Sequence, residues 1–113
     1  MIAQIQPADL PTWLEAAKAH GQPIVLDVRE PWELQTASVR PDGFTLVAIP
    51  MNEIPARIAE LDPSLPVACL CHHGARSQRV AHFLAQSGFE QVVNLAGGID
   101  AWSQQRDTAV PRY

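Results

Sequence analysis

No apolar stretch in the 113 residues comes near the ~20 that a membrane-spanning helix needs. The opening Met1-Ile2-Ala3-Gln4-Ile5 has neither the charged nor the apolar region of a secretory signal. The expectation is a soluble, cytoplasmic protein with no membrane partner. Basic residues are outnumbered, eight Lys and Arg against twelve Asp and Glu for a net charge of −4, so no basic footprint for nucleic acid exists. Cysteine is scarcer still. Cys69 and Cys71 stand one residue apart on a strand-like run, poor spacing for a mutual disulfide and in keeping with a reducing compartment. Internal repeats, low-complexity tracts and linkers are absent. What is present is 47% AVILMFWYC, enough for one hydrophobic core without disulfides or a structural metal. Residues 1–113 therefore read as a single domain.

Ten prolines punctuate short elements. Pro7 can open a helix, because the first turn does not need its missing N–H. Leu10, Trp13, Leu14 and Ala17 then recur at helical spacing, and Gly21 is a stop signal. Ile24-Val25-Leu26-Asp27-Val28 is a continuous apolar run with one acid, as in a buried parallel strand. Pro31 begins a short helix through Leu34, residues 36–43 read as a loop around Pro41-Asp42-Gly43, and Phe44–Ile49 is a second strand. Ile54, Ile58 and Leu61 predict one helix face, with Asn52 as its cap. Pro66–Leu70 is a third strand, and Cys71–Ala75 a loop. Arg76–Ser87 is a helix with Val80, Phe83 and Leu84 inward, ended by Gly88. Gln91–Leu95 is a strand, and Gly97-Gly98 turns the chain into a last helix with Ile99 and Trp102. This alternation predicts an α/β domain with a mostly parallel sheet and helices on both faces.

The informative segment is Cys71-His72-His73-Gly74-Ala75-Arg76-Ser77. It sets a cysteine at the carboxyl end of a strand and just before a helix, where open α/β sheets bind ligands. Amide groups and partial positive charge at the helix start favour an anion. Arg76 and the two histidines add to that field, so a thiol there is favoured as thiolate. Gly74 allows the backbone to turn with several N–H groups converging. Nucleophile and anion cradle thus share one loop.

With these residues in view, the sequence resembles the single-domain rhodanese family of thiosulfate sulfurtransferase-like proteins. Three segments carry the resemblance: Leu26-Asp27-Val28-Arg29-Glu30-Pro31-Trp32-Glu33, the C-x-x-G-x-R-S loop Cys71–Ser77, and Asn94-Leu95-Ala96-Gly97-Gly98-Ile99-Asp100-Ala101-Trp102. It implies a three-layer domain, a five-stranded sheet flanked by helices. It also implies sulfur transfer: Cys71 takes the outer sulfur of a small anionic donor such as thiosulfate, then passes it from a persulfide to cyanide or a thiol, protein thiols included. No metal or organic cofactor is required. By the same resemblance, Cys71 is catalytic, and His72, His73, Gly74, Ala75 and Arg76 bind substrate, with Arg76 on the sulfonate end. Related phosphatases place five residues between cysteine and arginine, whereas four separate Cys71 from Arg76 here. The shorter loop favours sulfur over phosphate. One departure is Ala37-Ser38-Val39-Arg40-Pro41-Asp42-Gly43, where the family often has a His-Ile-Pro-Gly-Ala-like stretch.

Plainer readings stand beside these. Cys69 reads as a small core hydrophobe, with a resolving thiol as the alternative. Cys69, Cys71, His72 and His73 are cramped for a tetrahedral metal site. The histidines tune the loop or are simply exposed. Asp27 and Arg29 read as an internal salt bridge supporting the loop, with the pocket floor as the alternative, Trp13 and Trp102 as core, Trp32 as a residue at the mouth. Gly97-Gly98 is a turn, since no third glycine completes a nucleotide fingerprint. Competing functions are a persulfide carrier in a protein sulfur relay, a non-catalytic rhodanese-like module, and a small phosphatase or arsenate reductase.

Overall fold

The computed structural model describes residues 2–113. Three of the apolar runs become the middle of one sheet. They are β2 (Ile24–Asp27), β4 (Val67–Leu70) and β5 (Val92–Leu95), flanked by β1 (Ala3–Ile5) and β3 (Thr45–Ala48) at the edges. The order is β1-β5-β4-β2-β3, and every pairing is parallel. The expected mostly parallel five-stranded sheet is thus wholly parallel. Every residue of β2 and β4 is buried, as parallel strands covered on both faces require.

Alternation along the strands divides the core in two. Leu26, Val28, Cys69 and Cys71 face one side, beneath α3 (Ile54–Arg57) and α4 (Ala75–Gln86). Val25, Ala68, Leu70, Val93 and Leu95 face the other, beneath α1 (Leu10–Ala17) and α5 (Gly98–Gln105). Trp102 is the largest fully covered side chain there and meets Phe44 edge to face at 6.0 Å. Trp13 is half-buried against the same cluster. Such side chains contribute about 1.5–3 kcal/mol each on burial.

Three sequence expectations need correction. β1 was not foreseen: it is a three-residue edge strand, exposed at Ala3 and Gln4, with too little apolar pattern to register. The predicted helix over Ile54–Leu61 is broken into 3-10 turns at Met51–Glu53 and Ile58–Glu60 around the four-residue α3. Asn52 therefore lies inside the first turn and caps nothing. Phe83 points outward, 37% exposed, while Val80, Ala81 and Leu84 are covered. At 100° per residue it sits about 60° round the helix from Val80, on the side away from Ala81.

The short helix α2 (Pro31–Thr36) follows β2. Its start is a capping box. Glu30 receives the Glu33 backbone N–H, and the Glu33 side chain receives the Glu30 N–H at 3.1 Å. Directly before it, Asp27 and Arg29 form the expected internal salt bridge at 2.7 Å, both fully buried. Arg29 also donates to the carbonyls of Ala37 at 2.9 Å and Glu33 at 3.3 Å. A buried pair is costly to desolvate unless its remaining donors are satisfied. Here those donors anchor α2 and the segment after it.

Candidate active site

β4 is the central strand, and Cys71 is the first residue beyond it. The sulfur is nearly sealed, with Cys71 1% exposed. The Gly74 N–H donates to Cys71 Sγ at 3.0 Å, and Ser77 Oγ lies 3.2 Å from the same sulfur. Gly74 has φ +110°, and a Cβ there would come 3.2 Å from the Gly97 nitrogen, so the turn that returns its N–H to the sulfur suits glycine alone. The free amides of the first turn of α4 open onto this loop.

α5 sets the orientation of the loop. Ile99 N–H donates to the Cys71 carbonyl at 2.8 Å and Asp100 N–H to the His72 carbonyl at 3.2 Å. A trans peptide points its N–H opposite its C=O. The N–H groups of His72 and His73 therefore face away from α5. Gly98 makes this docking possible: φ is +59°, and a Cβ would lie 2.4 Å from both carbonyl oxygens. The glycine pair is a turn, as the sequence suggests, and also the seat on which the loop rests.

Arg76 is engaged by Glu33 in a bidentate pair, Nη1 to Oε1 at 2.6 Å and Nη2 to Oε2 at 2.8 Å. Glu33 is buried, whereas the Arg76 side chain keeps 32% exposure. The Arg76 hydrogen bonds, helped by the Tyr113 hydroxyl, hold the Glu33 carboxyl down at about 2 against the burial that opposes its charge. The same pair raises Arg76. Much of the guanidinium charge beside the loop is thereby balanced before any ligand arrives.

The two histidines differ. His73 is exposed, whereas His72 is half-buried between two rings. It stacks on His73 at 3.9 Å and on Tyr113 at 3.9 Å with 5° between planes. Its Nε2 is enclosed without a hydrogen-bond partner. Tyr113 accepts from Arg29 at 3.0 Å, donates to Glu33 at 2.6 Å, and meets Trp32 edge to face at 6.1 Å. Trp32, 62% exposed, thus stands beside this ring at the rim. Ala75 is exposed at the helix start.

Behind the loop, Cys69 is fully buried, and burial pushes its thiol well above the ordinary range. Its burial is that of the core residue expected from its position. Both cysteines are free. Among the described residues, no three His, Cys, Asp or Glu side chains converge as a metal would require. A depression of about 370 Å³ adjoins the loop, lined by His73, Gly74, Ala75, Gln78, Asn94 and Gly97 among others. A larger cleft of about 510 Å³, between Arg40, Asp42, Trp102 and Arg106, includes no loop residue.

Sequence reasoning brought Cys71, Gly74 and Arg76 together on one loop, and the structure does the same. It missed Glu33, Tyr113, Asn94 and the docking role of Gly98. Glu33, Ser77 and Asn94 all lie in the three segments that carry the resemblance, but nothing in their spacing assigns them a role in the site. A signal existed for Glu33, since Glu30 and Glu33 have capping-box spacing. None existed for Tyr113, which reaches the site only through the tertiary fold.

Comparison with known proteins agrees with this architecture. The family described as Rhodanese-like domain matches residues 10–105. A sulfurtransferase of Allochromatium vinosum is 37% identical over 81 residues, covering 72% of each chain. Thiosulfate sulfurtransferase GlpE of Vibrio cholerae is 34% identical over 89 residues, covering 79% of this chain and 76% of that one. The Rhodanese-like/PpiC domain-containing protein 12 of Arabidopsis thaliana is 32% identical over 116 residues. That match takes in 99% of this chain but only 38% of the plant protein. Among solved structures, a rhodanese-related protein from Thermoplasma volcanium superimposes with a TM-score of 0.76 at 33% identity, covering 92% of this chain and 93% of that one.

Proposed function

The chain belongs to the rhodanese-like domain family, and from that membership we propose that it is a sulfurtransferase working through a persulfide on Cys71. The observation that carries the reading is the Gly74 N–H on Cys71 Sγ at 3.0 Å, at the mouth of the central strand and the start of α4. An amide donor and a helix N-terminus at this position suit a loop that must hold an anionic sulfur donor and its leaving group.

The Cys71 thiolate attacks the outer sulfur of a small anionic donor such as thiosulfate. A new S–S bond forms, the S–S bond of the donor breaks, and its electron pair leaves on sulfite. The outer sulfur of the persulfide then carries the charge within the ring of loop amides from His72 to Arg76. Cyanide or a thiolate attacks that sulfur, and the electron pair of the Cys71 S–S bond returns to Sγ. This is covalent catalysis by double displacement. Every step balances with thiolate chemistry alone.

His72, His73, Gly74 and Ala75 contribute backbone and ring surface to the cradle. Arg76 keeps an exposed edge for the sulfonate end of the donor, while Glu33 fixes its position. A guanidinium fork suits an oxyanion, but binding there shares the charge with Glu33. The four-residue spacing to Arg76 supports sulfur transfer over phosphate hydrolysis.

Thiosulfate:cyanide kinetics test the reading. Parallel double-reciprocal lines are expected, with activity abolished by Cys71→Ser and retained by Cys69→Ser. A dead Cys69→Ser beside an active Cys71→Ser would reject the assignment. Among the described residues, no helix is long and apolar enough to cross a membrane.

A further inference from the structure

Ser77 and Asn94 sit behind the sulfur, on α4 and β5, and both are buried at 0% and 2% exposure. Ser77 Oγ has three acceptors within reach: Asn94 Oδ1 at 2.5 Å, Cys71 Sγ at 3.2 Å and the Gly74 carbonyl at 3.2 Å. A hydroxyl has one proton. The orientation of the Asn94 amide decides where it goes. Asn94 Nδ2 lies 3.2 Å from the Gly74 carbonyl and 2.9 Å from Gln4 Oε1. Turning the amide over would set its oxygen against the Gly74 oxygen, which can only accept. Oδ1 is therefore the atom facing Ser77, and it carries no proton. Two oxygens that close repel unless a proton lies between them.

We propose that Asn94 is a positioning residue that holds the Ser77 proton away from Cys71 Sγ, so that Ser77 presents a lone pair to the sulfur. A neutral Cys71 thiol matches this arrangement, because its S–H donates to Ser77. A persulfide strains it less than a thiolate does, since the charge then sits on the outer sulfur and Sγ is neutral. The free thiolate conflicts with it most, because its full charge sits on Sγ: lone pairs meet there, or Ser77 abandons Asn94 and leaves two oxygens in repulsion. Asn94 thus disfavours the thiolate most among the three sulfur states. This deepens the sulfurtransferase reading. It makes the thiolate a more eager nucleophile when sulfur is loaded and a poorer leaving group when sulfur is unloaded.

The test needs no sulfur transfer, so it can fail or succeed independently of that reading. Reduced protein is treated with iodoacetamide at pH 7, and Cys71 modification is followed by intact mass. Cys69 lies in the sealed core. Asn94→Ala frees the Ser77 proton to bond the thiolate; the gain in thiolate population outweighs its lower intrinsic reactivity, so the variant should react about three- to tenfold faster than the parent. The double variant Ser77→Ala/Asn94→Ala should react no faster than Ser77→Ala, because the effect of Asn94 passes through that proton. Arg76, whose charge also acts on Cys71, is unchanged throughout. Thermal melts establish that each variant is folded, and Asn94→Val serves if the alanine variant is not. Ser77→Ala supplies a second readout: it should react no slower than the parent. Asn94 variants no faster than the parent would overturn the proposal. So would an acceleration that persists without Ser77, which signals a loosened loop, or a several-fold slowing in Ser77→Ala, which means that Ser77 already serves the thiolate.

Discussion

Replacing Gly98 with alanine probes the contact that orients the sulfur-bearing loop. The new Cβ would stand 2.4 Å from the carbonyl oxygens of Cys71 and His72 and 2.6 Å from the His72 carbonyl carbon. All three are backbone atoms, so no side chain can swing aside. Either α5 lifts or the loop retreats. Each movement stretches the hydrogen bonds from Ile99 and Asp100 to those two carbonyls. Two such bonds are worth about 1 kcal/mol apiece. Left-handed backbone costs an alanine a further 1–2 kcal/mol or so. A total loss of about 3–4 kcal/mol follows. Gly88 supplies the control, since its φ is +97° and a Cβ there meets nothing within 4 Å. Gly88→Ala bears comparable backbone strain without the collision, so it should lose about 1–2 kcal/mol. Urea unfolding of both variants, followed by far-ultraviolet circular dichroism, gives the difference. Gly98→Ala should also alkylate Cys71 at an altered rate, whereas Gly88→Ala should not. If Gly98→Ala is no less stable than Gly88→Ala, the docking of α5 on the loop carbonyls is not what holds the loop, and the reasoning fails.

Glu33 predicts an acid limb. Its folded value of about 2 lies below the ordinary 4.5, so its stabilisation is full above about 4.5 and disappears as pH falls toward 2. With partial solvent screening of Arg76, that amounts to about 2–3 kcal/mol. Unfolding free energies should fall across that window in the parent, and Glu33→Gln should be less stable at pH 7 with a flatter profile. An equally steep profile in Glu33→Gln would refute the assignment. Arg76→Ala is expected to raise the thiosulfate KM about tenfold to a hundredfold with a smaller effect on kcat. An unchanged KM would make Arg76 solely a partner of Glu33. Aryl phosphate hydrolysis by the parent should be negligible, and robust turnover lost with Cys71→Ser would favour the phosphatase reading.

Much of the site was legible because its chemistry is local. Cys71, Gly74 and Arg76 lie within six residues, and the strand before them and the helix after them have strong apolar patterns. The buried Asp27–Arg29 pair was legible for the same reason. What escaped depends on distant segments. Glu33 meets Arg76 across 43 positions and Tyr113 across 80, and no spacing rule reaches so far. Asn94 reads as a polar interruption in a buried strand until Ser77 is seen beside it. The double glycine was read as a turn because a turn needs only local φ, whereas the collision that excludes a side chain comes from a loop more than twenty residues earlier. Among the elements, β1 escaped because an edge strand with one half-buried residue carries no periodic signal. Phe83 was misplaced because the buried arc of α4 is narrower than its apolar residues suggest.

A covalent sulfur on Cys71 is open to intact mass spectrometry. Reduced protein is incubated with thiosulfate, freed of small molecules and weighed, then weighed again after cyanide. A gain of one sulfur, about 32 Da, that cyanide removes is expected, present in Cys69→Ser and absent in Cys71→Ser. No gain in the parent, or a gain that survives in Cys71→Ser, would contradict it.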